Sequence, residues 1–286
     1  MQQISLARRF SNTILTVLFT IVVFSAIAIA MIQNTLFSPD FYIRQIDASG
    51  FSKIALTEIQ ETFRAYSSAL ALNIPDDFVT DHITLEQVDD AIKQTITASF
   101  KGGDPYDYSS FSDELVADLE HYVKTELGLP VDFAEPMADF AAECEQVFTR
   151  YTDSSAFSKI AYMARTYGSA LKTCQIVLVA AAVILLALML RLSPGRAGGV
   201  RNLMFAFIVM VVLNGICLFA RVLPARIFLD RLGISLERES MRLLAVRCVD
   251  SAISAFIWPL MACALILIIL IVIYRMMKRT SERERY

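Results

Sequence analysis

Four stretches of this chain carry no charged side chain and are almost wholly apolar: residues 13–32, about 173–190, about 203–220 and about 251–274. At 1.5 Å of rise per residue, about 20 such residues cross a hydrocarbon core of ~30 Å. Each run is therefore expected to be a transmembrane helix. Only 19% of the 286 residues are charged, against about a quarter in a soluble domain, and the four runs account for the difference. The spacing predicts an all-α protein with four spans and a helical bundle inserted between spans one and two.

Orientation follows from Lys and Arg, which stay on the cytoplasmic side in short loops, whereas long domains cross largely regardless of charge. Ten bases flank one side: Arg8, Arg9, Arg191, Arg196, Arg201, Arg275, Lys278, Arg279, Arg283 and Arg285. The opposite short segment, 221–250, holds six: Arg221, Arg226, Arg231, Arg238, Arg242 and Arg247, against Asp230, Glu237, Glu239 and Asp250. Both termini are expected in the cytoplasm and residues 35–170 outside it, in the cytoplasmic membrane of a cell. Three parts result: 1–34 with the first span, 35–170 as an acidic extracytoplasmic domain, and 171–286 with spans two to four, a basic outer hairpin (221–250) and a basic tail. Arg8-Arg9, the apolar run and Ala28-Ile29-Ala30 also carry a secretory-signal pattern. The run of about 18 residues is longer than a usual signal core, so an uncleaved span is expected; cleavage would leave three spans and an outside N-terminus.

Residues 33–170 contain 23 acidic and nine basic side chains, a net charge near −14 that the overall −3 conceals. Their pattern is helical throughout. Ser38-Pro39-Asp40 reads as a helix start and Gly50 as its stop. A second helix from about Ser52 lines up Ala55, Ile59, Phe63, Tyr66 and Leu70. Thr84 and Gln87 fit a capping box ahead of Val88, Ile92, Ile96 and Phe100, with Gly102-Gly103 as the stop. Ser112 is expected to start a helix carrying Leu115, Leu119, Tyr122, Val123 and Leu127. The last, from about Pro136, buries Phe140, Cys144, Val147, Phe148 and Tyr151. About five helices form the bundle, and a helical stretch from about Ser155 leads to span two.

Residues 47–55 and 153–161 match at seven of nine positions and then diverge at once. They read as two helix starts sharing one cap and one apolar staple, or as a duplication whose copies should pack at equivalent places. The segment Ser38-Pro39-Asp40-Phe41-Tyr42 resembles the start of the ectodomain in uncharacterised bacterial multi-pass membrane proteins. The resemblance spans about fifteen residues and implies a bacterial cytoplasmic membrane and no particular activity.

Reactive chemistry finds little support. The two His, His82 and His121, lie on different elements, where solvated side chains are expected rather than a metal pair. Residues 104–110 offer oxygen ligands but lack the turn Gly and terminal Glu of a Ca²⁺-binding EF-hand. No phosphate-binding glycine loop, G-x-S-x-G elbow or H-E-x-x-H occurs. No cofactor and no catalytic or metal site is therefore expected. The five Cys form no C-x-x-C; Cys144, Cys174 and Cys248 fall on the oxidising side, where a disulfide among them competes with buried free thiols.

Within the spans, Asn214 is the candidate polar contact, read as helix-packing glue, and Trp258-Pro259 is a candidate kink. Six Arg on the translocated side call for compensation. Ser235 can cap a helix there, with Glu237 and Glu239 in its first turn. Arg226, Arg231, Arg238 and Arg242 are the candidates to dock the hairpin against the acidic domain, and lipid phosphates are the competing contact. The expected partners are the lipid bilayer and a protein partner or second copy, with no nucleic acid. The leading reading is a non-catalytic membrane protein whose ectodomain binds a partner or supports assembly. Its rivals are a small transporter or channel component formed by oligomerisation, with Asn214 and the Trp258-Pro259 kink lining the path, and an extracytoplasmic ligand sensor that signals through a separate protein, with a pocket among Phe63, Tyr66, Phe100, Tyr122 and Phe148.

Overall fold

The computed structural model describes residues 2–69, 78, 82–125, 134–153, 155–193, 195–222 and 239–283. Among them there is no strand. The helices are α1 (Gln2–Asn34), α2 (Pro39–Ser49), α3 (Phe51–Ala69), α4 (Leu85–Lys101), α5 (Tyr108–Thr125), α6 (Ala134–Thr152), α7 (Ser155–Leu192), α8 (Gly195–Phe219), α9 (Glu239–Ser254) and α10 (Ile257–Arg283). Four stretches are long and apolar enough to cross a membrane: Phe10–Asn34, Phe157–Leu192, Ala197–Phe219 and Ser240–Thr280. Each contains one of the charge-free runs. The chain divides into two compact units, one of residues 1–36, 166–233 and 248–286, the other of residues 37–165 and 234–247.

The first unit is a bundle with an apolar outside. Phe19, Ala206, Met210 and Cys263 form its centre, with Val23, Ile27, Leu185 and Leu186 packed against them; α8 packs against both α1 and α10. Large aliphatic side chains face outward, Ile176 at 69% exposure and Ile184 at 60%, a distribution that needs an apolar solvent and suits a multi-pass membrane protein. The helical run that ends the chain breaks at Ala255–Phe256, between α9 and α10. Pro259 explains the position: its ring clashes with the carbonyl four residues earlier and it has no N–H to give that carbonyl. Ala255 O instead accepts from Trp258 N–H at 3.4 Å.

The second unit follows the period of its apolar residues. Ala55, Ile59 and Phe63 on α3, Val88, Ile92 and Ile96 on α4, Leu115 and Leu119 on α5, and Phe140, Cys144 and Phe148 on α6 are all buried. α6 packs against α5, α3 and α4, and α2 against α3 and α4. Tyr66 and Tyr122 are half-buried, and Leu70 and Leu127 lie outside the described residues. The capping box forms with both arms: Gln87 N–H donates to Thr84 Oγ1 at 3.2 Å and Thr84 N–H to Gln87 Oε1 at 2.9 Å. Gly50 ends α2 at φ 66°, where its N–H reaches Ile46 O. Pro39 opens α2 as expected, although the Ser38 hydroxyl makes no capping bond.

One boundary differs from expectation. α5 starts at Tyr108 instead of Ser112, because Asp107 takes the capping role: its Oδ1 accepts from Ser109 N–H at 3.1 Å and from the Ser109 hydroxyl at 2.7 Å. Those bonds hold its carboxyl below the usual carboxylate range. The two copies of the repeat do bury equivalent positions, Phe51 with Ala55 and Phe157 with Ala161. Their Ser residues differ, since Ser52 is buried on Asp89 while Ser158 is exposed.

Candidate functional site

The helical domain formed by residues 37–165 and 234–247 turns apolar stripes inward and acids outward. Glu86 and Asp90 on α4, Asp113 and Glu114 on α5, and Asp139 and Glu143 on α6 are exposed, each on a helix whose other face is core. Asp47 and Asp89 are instead paired. Lys93 donates to Asp47 at 2.8 Å and to Asp89 at 2.7 Å, and the Ser52 hydroxyl donates to Asp89 Oδ1 at 2.7 Å. This one cluster joins α2, α3 and α4. The bond to Asp47, then that to Asp89, holds the Lys93 ammonium above its ordinary value.

The return of the chain at α9 supplies a second polar link. The N-terminal turn of a helix presents unbonded N–H groups and a partial positive charge. Here the acid facing that turn comes from 182 residues earlier: Glu58 Oε2 accepts from the Ser240 hydroxyl at 2.7 Å and Oε1 from Ser240 N–H at 3.3 Å. Ser240 and, one turn on, Leu244 are buried. Of the four candidate docking bases, Arg242 is half-buried on this helix; Arg226, Arg231 and Arg238 lie outside the described residues, as do Ser235 and Glu237. No local signal marked Glu58, one acid among many on an amphipathic helix.

The aromatic residues proposed to line a ligand pocket are mostly core, with Phe63, Phe100 and Phe148 buried. A cavity bounded by Phe63, Phe78, His82, Ile83, Leu115 and Phe140 has a volume of about 10 Å³, room for about one water. His82 is held on both sides: Nε2 meets Asp118 Oδ2 at 2.9 Å, Nδ1 meets Phe78 O at 2.5 Å, and its ring stacks on Phe78. His121 is exposed on α5. No group of three or more metal-binding side chains occurs among the described residues.

The start of α5 is likewise tied to its neighbours. The Tyr108 hydroxyl bridges Thr152 Oγ1 at 2.8 Å and Thr95 Oγ1 at 3.2 Å, and burial raises the Tyr108 phenol above its ordinary range. All five cysteines are free thiols, so no disulfide joins Cys144, Cys174 or Cys248. Burial pushes the Cys144 thiol well up, which keeps it protonated and a poor nucleophile.

In the bundle, Asn214 is fully buried; its Nδ2 donates to Met210 O on its own helix at 2.8 Å and its Oδ1 has no partner. Trp258, 75% exposed, points away from any interior. Within a single chain Asn214 is therefore enclosed and Trp258 is open to the surroundings. A second buried amide, Asn12, lies just before the first charge-free run: Nδ2 donates to Leu192 O at 3.3 Å and Oδ1 is unpartnered. Thr16, Thr20 and Ser193 hydroxyls bond carbonyls four residues back on their own segments. At the far end of α8, Arg221 pairs with Asp250 through two bonds, Nη2 to Oδ2 at 2.8 Å. No family model, curated protein or solved structure matches this chain.

Proposed function

We propose that this chain is a non-catalytic subunit of a bacterial cytoplasmic membrane, with both termini inside and the acidic helical domain outside, and that the domain binds a protein partner to assemble a membrane complex. The observation that carries the reading is the outward acidic face over a buried apolar core: exposed carboxylates on α4, α5 and α6 stand on helices whose opposite faces are buried. Such a surface recognises by charge complementarity, and the partner chemistry it favours is a basic protein face. The clamp of Ser240 on Glu58 supports the same reading, since it holds the returning segment to the domain without consuming the outer acids. Orientation rests on the ten-to-six division of bases described above.

The test is purification from the native membrane in mild detergent, with the retained proteins identified and counted by mass spectrometry. A partner in fixed ratio is expected, released near 1 M salt, where the screening length falls to about 3 Å. Recovery of the chain alone, as a monomer or homo-oligomer, overturns the reading and shifts the weight to transport or ligand sensing.

A further inference from the structure

The helix ends of the membrane bundle sort the charges of this chain in a way that fits a specific lipid chemistry. α8 and α10 run antiparallel: Arg221 at the end of α8 pairs with Asp250, just ahead of α10, while Met210, earlier on α8, packs in one cluster with Cys263, later in the chain. Continued at one residue for one, that register brings Arg275 opposite about residue 197, at the start of α8. α1 and α7 are antiparallel as well, because Asn12 reaches Leu192 O and Thr16, one turn on, reaches Met189 Sδ. α8 begins at Gly195, directly after α7 ends at Leu192. The start of α1, the α7–α8 turn and the end of α10 therefore lie at one end of the bundle.

That end is basic, and Arg191, Arg201, Arg275 and Arg279 there are exposed. Residues 2–34 and 191–201 contain no acid, and the segment after Arg275 holds Glu282 and Glu284 among Lys278, Arg279, Arg283 and Arg285. At the other end Arg221 is paired with Asp250, and Lys172 is exposed. Beside the exposed bases stand exposed apolar side chains, Phe10 at 70%, Leu190 at 50% and Met276 at 65%. A free anion would use only the first group and an oil phase only the second. An anionic phospholipid presents both a phosphate and an acyl chain.

We propose that this end of the bundle is a binding surface for anionic phospholipids, with Arg191, Arg201, Arg275 and Arg279 contacting headgroup phosphates and Phe10, Leu190 and Met276 contacting acyl chains. It does not depend on which side of the membrane the end faces, nor on the partner reading above. Basic residues at a membrane surface each favour anionic lipid by about fivefold, so the preference is large enough to count directly.

The experiment places the full chain in nanodiscs of phosphatidylcholine with phosphatidylglycerol and counts the lipids retained on gentle extraction by native mass spectrometry. Retained phosphatidylglycerol is expected to exceed its share of the bilayer several-fold, to return to that share in a variant combining R191Q, R201Q, R275Q and R279Q, and to persist in R221Q. Should the combined variant fail to fold, R275Q and R279Q singly are expected to lower the preference by up to about fivefold each. Retention in proportion to the bilayer in the unaltered protein overturns the proposal, as does an equal preference in the folded variants. Stripping of the lipid by excess inorganic phosphate also overturns it, in favour of a soluble-anion site.

Discussion

The helical domain and the membrane bundle handle buried polar groups differently. In the domain, side-chain polar links join one helix to another: Lys93 with Asp47 and Asp89, Tyr108 with Thr95 and Thr152, Ser240 with Glu58. In the bundle, the described side-chain links between helices lie toward one end or the other, at Asn12 with Leu192, Thr16 with Met189 and Arg221 with Asp250. Farther in, hydroxyls and amides mostly fold back onto their own helix, as at Thr20 and Asn214. The difference follows from the solvent. A domain in water gathers its helices by shedding apolar surface and can spend its polar contacts on choosing which helix meets which. Helices in lipid gain nothing from shedding apolar surface, and each polar group must be satisfied close to its own backbone.

The largest expected effect tests that contrast directly. Phe148→Ala removes a fully buried ring from the domain and should destabilise it by about 3–5 kcal/mol. Ile184→Ala, on an outward face of α7, should change the bundle by less than about 1 kcal/mol, because lipid solvates the side chain in either state. Cys144, buried and free, reports on the domain: its alkylation, mapped by mass spectrometry, should accelerate in the first variant and not in the second. Equal acceleration in both would show that the two regions unfold together and would break the comparison.

Next in size is Lys93→Gln, which leaves Asp47 and Asp89 facing each other without their cation. A loss of about 1–2 kcal/mol is expected, as for a hydrogen bond to a charged group that is partly solvated. The pH dependence has a definite sign. The folded-state value is raised above 10.5, so the contribution is fully present below that unfolded value and disappears as pH rises through the higher folded one. Denaturant titrations at neutral and strongly alkaline pH check this; a K93Q penalty that persists at the alkaline end would contradict it. Ser240→Ala should cost about 1 kcal/mol, most of it local. Hydrogen exchange of α9 is the readout, and unchanged protection of its first turn would remove the Glu58 clamp from the account.

Much of the architecture was legible because it is written locally. A charge-free run marks a span, and the Thr84–Gln87 box and the stripes on α3 to α6 need no knowledge of distant residues. Errors arose where a neighbour competed or where the partner was remote. Ser112 looked like a helix start until Asp107, five residues earlier, took the cap. Pro259 disturbed the chain one turn ahead of itself, at Ala255–Phe256, because its effect falls on the fourth carbonyl back. The Glu58–Ser240 link joins residues 182 apart and leaves no periodic trace in either segment. Asn12 lies one position before the uncharged run, in a stretch whose composition does not mark it as buried.

The smallest expected effect is the most discriminating for the bundle. Asn214 donates to Met210 O, a carbonyl its own helix also uses, and leaves Oδ1 buried without a partner. An amide placed to hold two helices together would carry its bonds across the interface, and its loss would cost about 0.6–2 kcal/mol. An amide that only satisfies itself should be replaceable by an apolar residue of similar size with no penalty, since removing an unpartnered buried acceptor removes a desolvation cost along with it. Asn214→Leu is therefore expected to leave the melting temperature in detergent unchanged or slightly higher. A fall equivalent to more than about 1 kcal/mol would mean that Oδ1 meets a donor in the membrane, a water or another chain, and the bundle would then resemble the domain in the one respect that separates them.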